Sequence, residues 1–206
     1  MNKSRVETIS DGVFAIVMTL LVFDIKVPSA DIISSADLWG ALATLWPLFL
    51  SYAFSFLVLS VFWINHHFLF HSFTRAVNRQ LNLLNMVYLL FLAFVPFSAH
   101  LLGTFYTHQA AVVVYGLNIL AVVMTSTAMM VYIRARPELR NEDLSRRTVK
   151  QSWFRVWLSI LLYVCGLLVS FISTPLSICF YLFPMFFNII PGTLDFFERI
   201  FRFKLA

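Results

Sequence analysis

Charge is what this sequence has least of. Only 12% of its 206 residues are Asp, Glu, Lys or Arg, against 60% hydrophobic, and a soluble surface needs roughly twice that charge. Soluble folds are therefore excluded, and the same hydrophobic content excludes intrinsic disorder. Only two cysteines occur, Cys165 and Cys179, both inside apolar segments. Neither a disulfide framework nor a zinc ribbon is available, and cysteine usage does not reveal the redox compartment. The six glycines form no phosphate-cradling loop, which disfavours an ATP-driven pump. No small-x-small cleavage site follows the first apolar run, which opens on Ser10-Asp11-Gly12 and is followed by Asp24 and Lys26. A removed signal peptide is therefore not expected.

What the sequence has in abundance is long apolar runs, rich in its 23 Phe, 5 Trp and 7 Tyr and broken at short intervals. This is the pattern of an all-α integral membrane protein. The chain reads as one domain over residues 1–206, with six transmembrane helices at about 5–27, 40–70, 82–104, 109–135, 153–173 and 176–198. Pro47 is expected to kink the second helix near its start, and Pro96 and Pro184 to interrupt the third and sixth. Basic residues are retained on the cytoplasmic side of short loops. Six crossings with both termini cytoplasmic put fourteen of the fifteen Lys and Arg on that side, leaving Lys26 on the other. The charge of +5 is thus a topology signal, and no nucleic-acid partner is expected. Asp24, Asp31 and Asp37 make the outer loop between helices 1 and 2 a net negative mouth that concentrates cations, or an ordinary solvated loop.

Helix 1 differs from the rest. Ser4-Arg5-Val6-Glu7 has the pattern of a capping box, and Pro28 restricts Val27 and ends the helix. The uncharged core from Gly12 to Phe23 is only 12 residues, or about 18 Å, short for a span facing lipid by itself and better suited to the inside of a bundle. At 100° per residue Ile16, Thr19, Leu20 and Phe23 share one face, extended by Gly12 and Val27. Such a stripe fits a helix-packing seam or a pore lining. Asp11 needs a partner near membrane depth. Trp63, Asn65, His66, His67 and Asn85 are the candidates by topology, with a cation site at the inner mouth as the rival role. We read Arg5, Ser10 and Asp11 as anchoring helix 1 to helices 2 and 3. His67 and His71 stand four apart, but no third ligand accompanies them, so no metal and no cofactor is expected. No nucleophile constellation supports an enzyme.

The run Arg5-Val-Glu-Thr-Ile-Ser10-Asp11-Gly12 resembles the R-x-x-x-F-S-D-G signature of the transmembrane protein 175 potassium channel family, with Ile9 in place of Phe. The resemblance continues in Trp63-Ile-Asn-His-His-Phe-Leu-Phe70, in Asn82-Leu-Leu-Asn-Met and in Val95-Pro-Phe97. It implies a prokaryotic, modestly potassium-selective channel of the plasma membrane, a homotetramer in which helix 1 of each subunit lines the central pore. By position it puts a hydrophobic constriction on Ile16, a pore-facing hydroxyl on Thr19, and Leu20 and Phe23 further out. Arg5, Ser10, Asp11 and Gly12 are the helix-1 motif, and Trp63, His66, His67 and Asn85 complete its anchoring network. Potassium is then the permeant ion, and the partners are other copies of the chain, membrane lipids and monovalent cations. No Thr-Val-Gly-Tyr-Gly loop is present to replace the hydration shell with carbonyls. Selectivity would have to come from an apolar ring that forces partial dehydration. The alternative is a secondary ion transporter, which would want broken helices and charges at mid-membrane.

Overall fold

A computed structural model describes residues 2–26, 34–141 and 145–189. The described residues are helical throughout, joined by short turns, with one isolated bridge between Thr74 and Arg140. Helix α1 spans Lys3–Leu20 and tightens into a 3-10 turn over Leu21–Asp24. The others are α2 (Ser35–Thr44), α3 (Trp46–Phe68, ending in a π turn, Leu69–Phe73), α4 (Arg79–Ala93), α5 (Val95–Thr104), α6 (Gln109–Arg134), α7 (Arg146–Val169) and α8 (Thr174–Ile189). Among the described residues five stretches are long and apolar enough to cross a membrane: Lys3–Asp24, Trp46–Phe73, Arg79–Thr104, Gln109–Arg134 and Arg146–Val169. A sixth apolar helix, Thr174–Met185, is shorter.

Several boundaries differ from the sequence reading, each for a local reason. The capping box at Ser4 does not form. The side chain of Asn2 caps the helix by accepting from Ser4 N at 3.0 Å, so Ser4 is already helical, and Glu7 turns to Lys3 at 3.9 Å. The expected second helix is two. Proline has no N–H and clashes with the carbonyl four residues back. Pro47 accordingly lies in the first turn of a new helix and does not kink an old one. Pro96 does the same at the start of α5, after a break at Phe94. Pro184, by contrast, lies inside α8 without ending it, and Asn188 Nδ2 donates to its carbonyl at 2.8 Å. Helix α7 begins seven residues earlier than expected, because Ser145 caps it by accepting from Thr148 N at 3.1 Å. The expected continuation of helix 6 to residue 198, and Val27, Pro28 and Asp31, lie outside the described residues.

In lipid no hydrophobic force holds helices together, so close packing and interhelical hydrogen bonds must do it. Phe14, Leu59, Phe70, Leu81, Tyr88 and Ile119, all almost fully buried, lie in one core shared by α1, α3, α4 and α6. Gly116 and Gly166 open a slot for the ring of Tyr181, which seats α8 on α6 and α7. A Cβ on Gly116 would collide with the Tyr181 hydroxyl. Helix α1 leans on this core along one side only.

Candidate functional site

The two faces of α1 are chemically and spatially distinct. Val6, Ser10, Phe14 and Val17, with Leu21 of the 3-10 turn, recur every three or four residues and are buried against α3, α4 and α5. On the other side Ile9, Ile16, Leu20 and Phe23 are large and apolar yet exposed, Ile16 by 59% and Phe23 by 76%. Gly12 has nothing within 4 Å of where a Cβ would stand. Thr19 is exposed as well, and its hydroxyl turns back to the carbonyls of Ala15 and Ile16, 2.9 Å from each. Its single proton is spent on its own helix, so towards the open side the oxygen is an acceptor. No charged residue interrupts this face between Gly12 and Phe23.

Three sets of polar contacts fix the rotation of α1. At the buried level Asn85 of α4 is the hub: its Nδ2 donates to Ser10 Oγ at 3.0 Å and its Oδ1 lies 2.8 Å from His66 Nε2. Ser10 Oγ in turn donates to Val6 O at 2.9 Å. With an amide oxygen as its partner, Nε2 of His66 carries the proton. The His66 ring is sandwiched between Phe70 and Tyr88, with centroids at 4.6 and 5.4 Å. One turn away and near the surface, Trp63 Nε1 donates to Asp11 Oδ1 at 2.9 Å. At the helix start Lys3 Nζ donates to Thr74 O at 2.8 Å and to His71 O at 3.4 Å.

The structure thus brings Ser10, His66 and Asn85 into one buried chain, and Asp11 and Trp63 into a separate pair. The other candidates go elsewhere. Asn65 faces Asn188 of α8 at 3.5 Å, and His67 is stacked between Trp63 and His71. Arg5 is exposed and, among the described residues, has no polar partner within the subunit, so anchoring at this end falls to Lys3. Nothing in the sequence singled out Lys3 from the topology charges. At the far end Asp24 Oδ1 lies 3.9 Å from His100 Nδ1, joining the 3-10 turn to α5. Among the described residues no group of three or more His, Cys, Asp or Glu is gathered as a metal site would require.

A sequence profile of the family described as endosomal/lysosomal potassium channel TMEM175 matches residues 5–96. A protein of Streptomyces collinus named as a potassium channel is 36% identical over 184 residues, covering 86% of this chain and 87% of its own length. One of a Chryseobacterium species, also named as a potassium channel, is 32% identical and covers 88% and 89%. The crystal structure of a lysosomal potassium-selective channel TMEM175 homolog from Chamaesiphon minutus superposes with a TM-score of 0.79 at 30% identity, over 90% of this chain and 95% of that one.

Proposed function

The chain belongs to the TMEM175 potassium channel family, and from that premise we propose that it assembles as a homotetramer around a pore lined by the open face of α1. It is a passive potassium channel and not an enzyme. The observation that carries the pore assignment is the exposure of Ile16, Thr19, Leu20 and Phe23 on a helix whose opposite face is locked by Ser10, Phe14 and Val17. Four Ile16 side chains around an axis form an apolar constriction that holds water poorly and gates by dewetting. An ion crossing it sheds part of its hydration, which costs potassium less than sodium. The acceptor oxygens of Thr19 compensate one turn further on. Few fixed ligands are offered, so the preference for potassium over sodium is modest.

The Ser10–Asn85–His66 chain and the Asp11–Trp63 pair act in this reading as anchors that hold the Ile16 face on the axis, not as ion ligands. The basic residues and the additional apolar helix α8 support six crossings, both termini cytoplasmic, in a prokaryotic plasma membrane. The secondary-transporter alternative lacks its main requirement, since the breaks at Leu45 and Phe94 bring no charged residue to mid-membrane.

Cysteine accessibility tests the lining, after Cys165 and Cys179 are replaced by serine. A cationic thiol reagent should block potassium current through Ile16→Cys and Thr19→Cys channels and leave Val17→Cys channels unaffected. Equal block at all three positions would remove α1 from the pore.

A further inference from the structure

Helix α7 packs Val156, Ile160, Tyr163 and Leu167 on the core and carries a polar stripe beside that face. Trp157, Leu161 and Leu168 on its outer side are each more than half exposed. Thr148, Gln151, Ser152, Arg155 and Ser159 fall within roughly 100° of arc on the opposite side. That stripe borders a cavity of about 330 Å³ between α3, α6, α7 and α8. Asn65, Ser126, Thr127 and Asn188 add polar groups from the three other helices. Val58, Phe62, Val123, Met130 and Met185 supply an apolar wall.

Polar side chains at membrane depth are costly unless something satisfies them. Among the described residues Ser126, Gln151 and Ser159 have no hydrogen-bond partner, and the hydroxyls of Thr127 and Ser152 donate only to their own helices, at 2.7 and 2.9 Å. The cavity has the size of a small-ligand site. Its chemistry is mixed: hydroxyls, amides and the Arg155 guanidinium stand among aliphatic and aromatic carbon. A guanidinium fork fits the oxygens of a phosphate. Arg146, Arg147 and Lys150, in the first turns of the same helix, add positive charge at that end of the bundle.

We propose that this cavity is a binding site for the phosphate head group of an anionic phospholipid, held by Arg155, Gln151 and the serine hydroxyls, with an acyl chain along the wall of Phe62, Val123 and Met185. Free phosphate shares the head-group chemistry but has no use for the apolar wall. The site lies across α3 from α1, with Tyr88 between it and the His66 ring, and the proposal does not depend on where ions pass.

Native mass spectrometry of the full-length protein, released from phosphatidylcholine nanodiscs containing phosphatidylglycerol, tests it. Wild type should retain phosphatidylglycerol over phosphatidylcholine by about tenfold, the weight of one charge-assisted contact. Arg155→Gln should bring retention close to parity. Ser126→Leu, which fills the cavity from α6 without changing charge, should do the same, so misfolding of one variant leaves the other decisive. Retention that survives excess inorganic phosphate identifies the lipid. Displacement by inorganic phosphate, with phosphate itself retained, assigns the site to the free anion and overturns the lipid. Equal retention of both lipids by wild type, or retention unchanged in both variants, overturns the site.

Discussion

Trp63 Nε1 donates to Asp11 Oδ1 at 2.9 Å across the seam between α1 and α3, joining residues 52 apart in sequence. The contact fixes the azimuth of α1 close to the level at which its open face begins. Near the surface a hydrogen bond to a carboxylate is worth about 1 kcal/mol or less. Asp11→Ala should therefore lower the fraction of assembled channel before it changes ion preference, whereas Asp11→Asn keeps the acceptor and should assemble. Light scattering coupled to size exclusion measures the first quantity. Normally assembled Asp11→Ala channels with altered selectivity alone would make Asp11 a cation site.

Asn85 joins two other helices with one amide. Removing it leaves the buried His66 N–H without an acceptor, at about 1–3 kcal/mol for an unsatisfied group, and takes a donor from Ser10, which keeps its own bond to Val6 O. Asn85→Ala should lower the thermal midpoint in detergent well below that of Ser10→Ala, which strands only one donor of Asn85. Equal midpoints would mean that the chain does not stabilise the α1/α4 seam.

The seat of α8 depends on volume. Gly116→Ala pushes a methyl group into the Tyr181 hydroxyl, and overpacking of a fitted site costs about 1–3 kcal/mol. Adding Tyr181→Phe removes the oxygen and should recover part of the loss. A double-mutant cycle on thermal midpoints reads the coupling, and strict additivity would deny the contact.

Thr19 offers an acceptor because its proton is bound to its own helix. Thr19→Val keeps the shape and removes the oxygen, so potassium conductance should fall and the permeability ratio over sodium should narrow. Thr19→Ser should stay near wild type. Bi-ionic reversal potentials distinguish the two, and an unchanged Thr19→Val channel would place the hydroxyl outside the ion path.

The positions of the spans were legible because hydropathy over some twenty residues is a strong signal, and the fourth helix ends within one residue of its expected end. The prolines were legible as residues but not as geometry. Pro47 and Pro96 open helices while Pro184 sits within one, a difference that depends on which carbonyl stands four residues back and what else satisfies it. The face of α1 was legible from periodicity, yet periodicity says only that a stripe exists. Its exposure follows from the packing of Phe14 and Val17. The partner of Asp11 stood among five candidates because Trp63, Asn65, His66 and His67 point in different directions around α3, and one sequence does not give that helix its rotation. Lys3 and the Gly116–Tyr181–Gly166 slot were missed. Two glycines within apolar helices were the available hint for the slot, and nothing marked the lysine.

The proposed ion path crosses an apolar constriction built from Ile16. Its most direct test is the reversal potential of the purified protein in planar bilayers under a potassium/sodium gradient, wild type beside Ile16→Asn. Wild type should give a potassium-shifted reversal that collapses toward zero in Ile16→Asn, with a larger conductance. An Ile16→Asn channel with the conductance and reversal potential of wild type would contradict it.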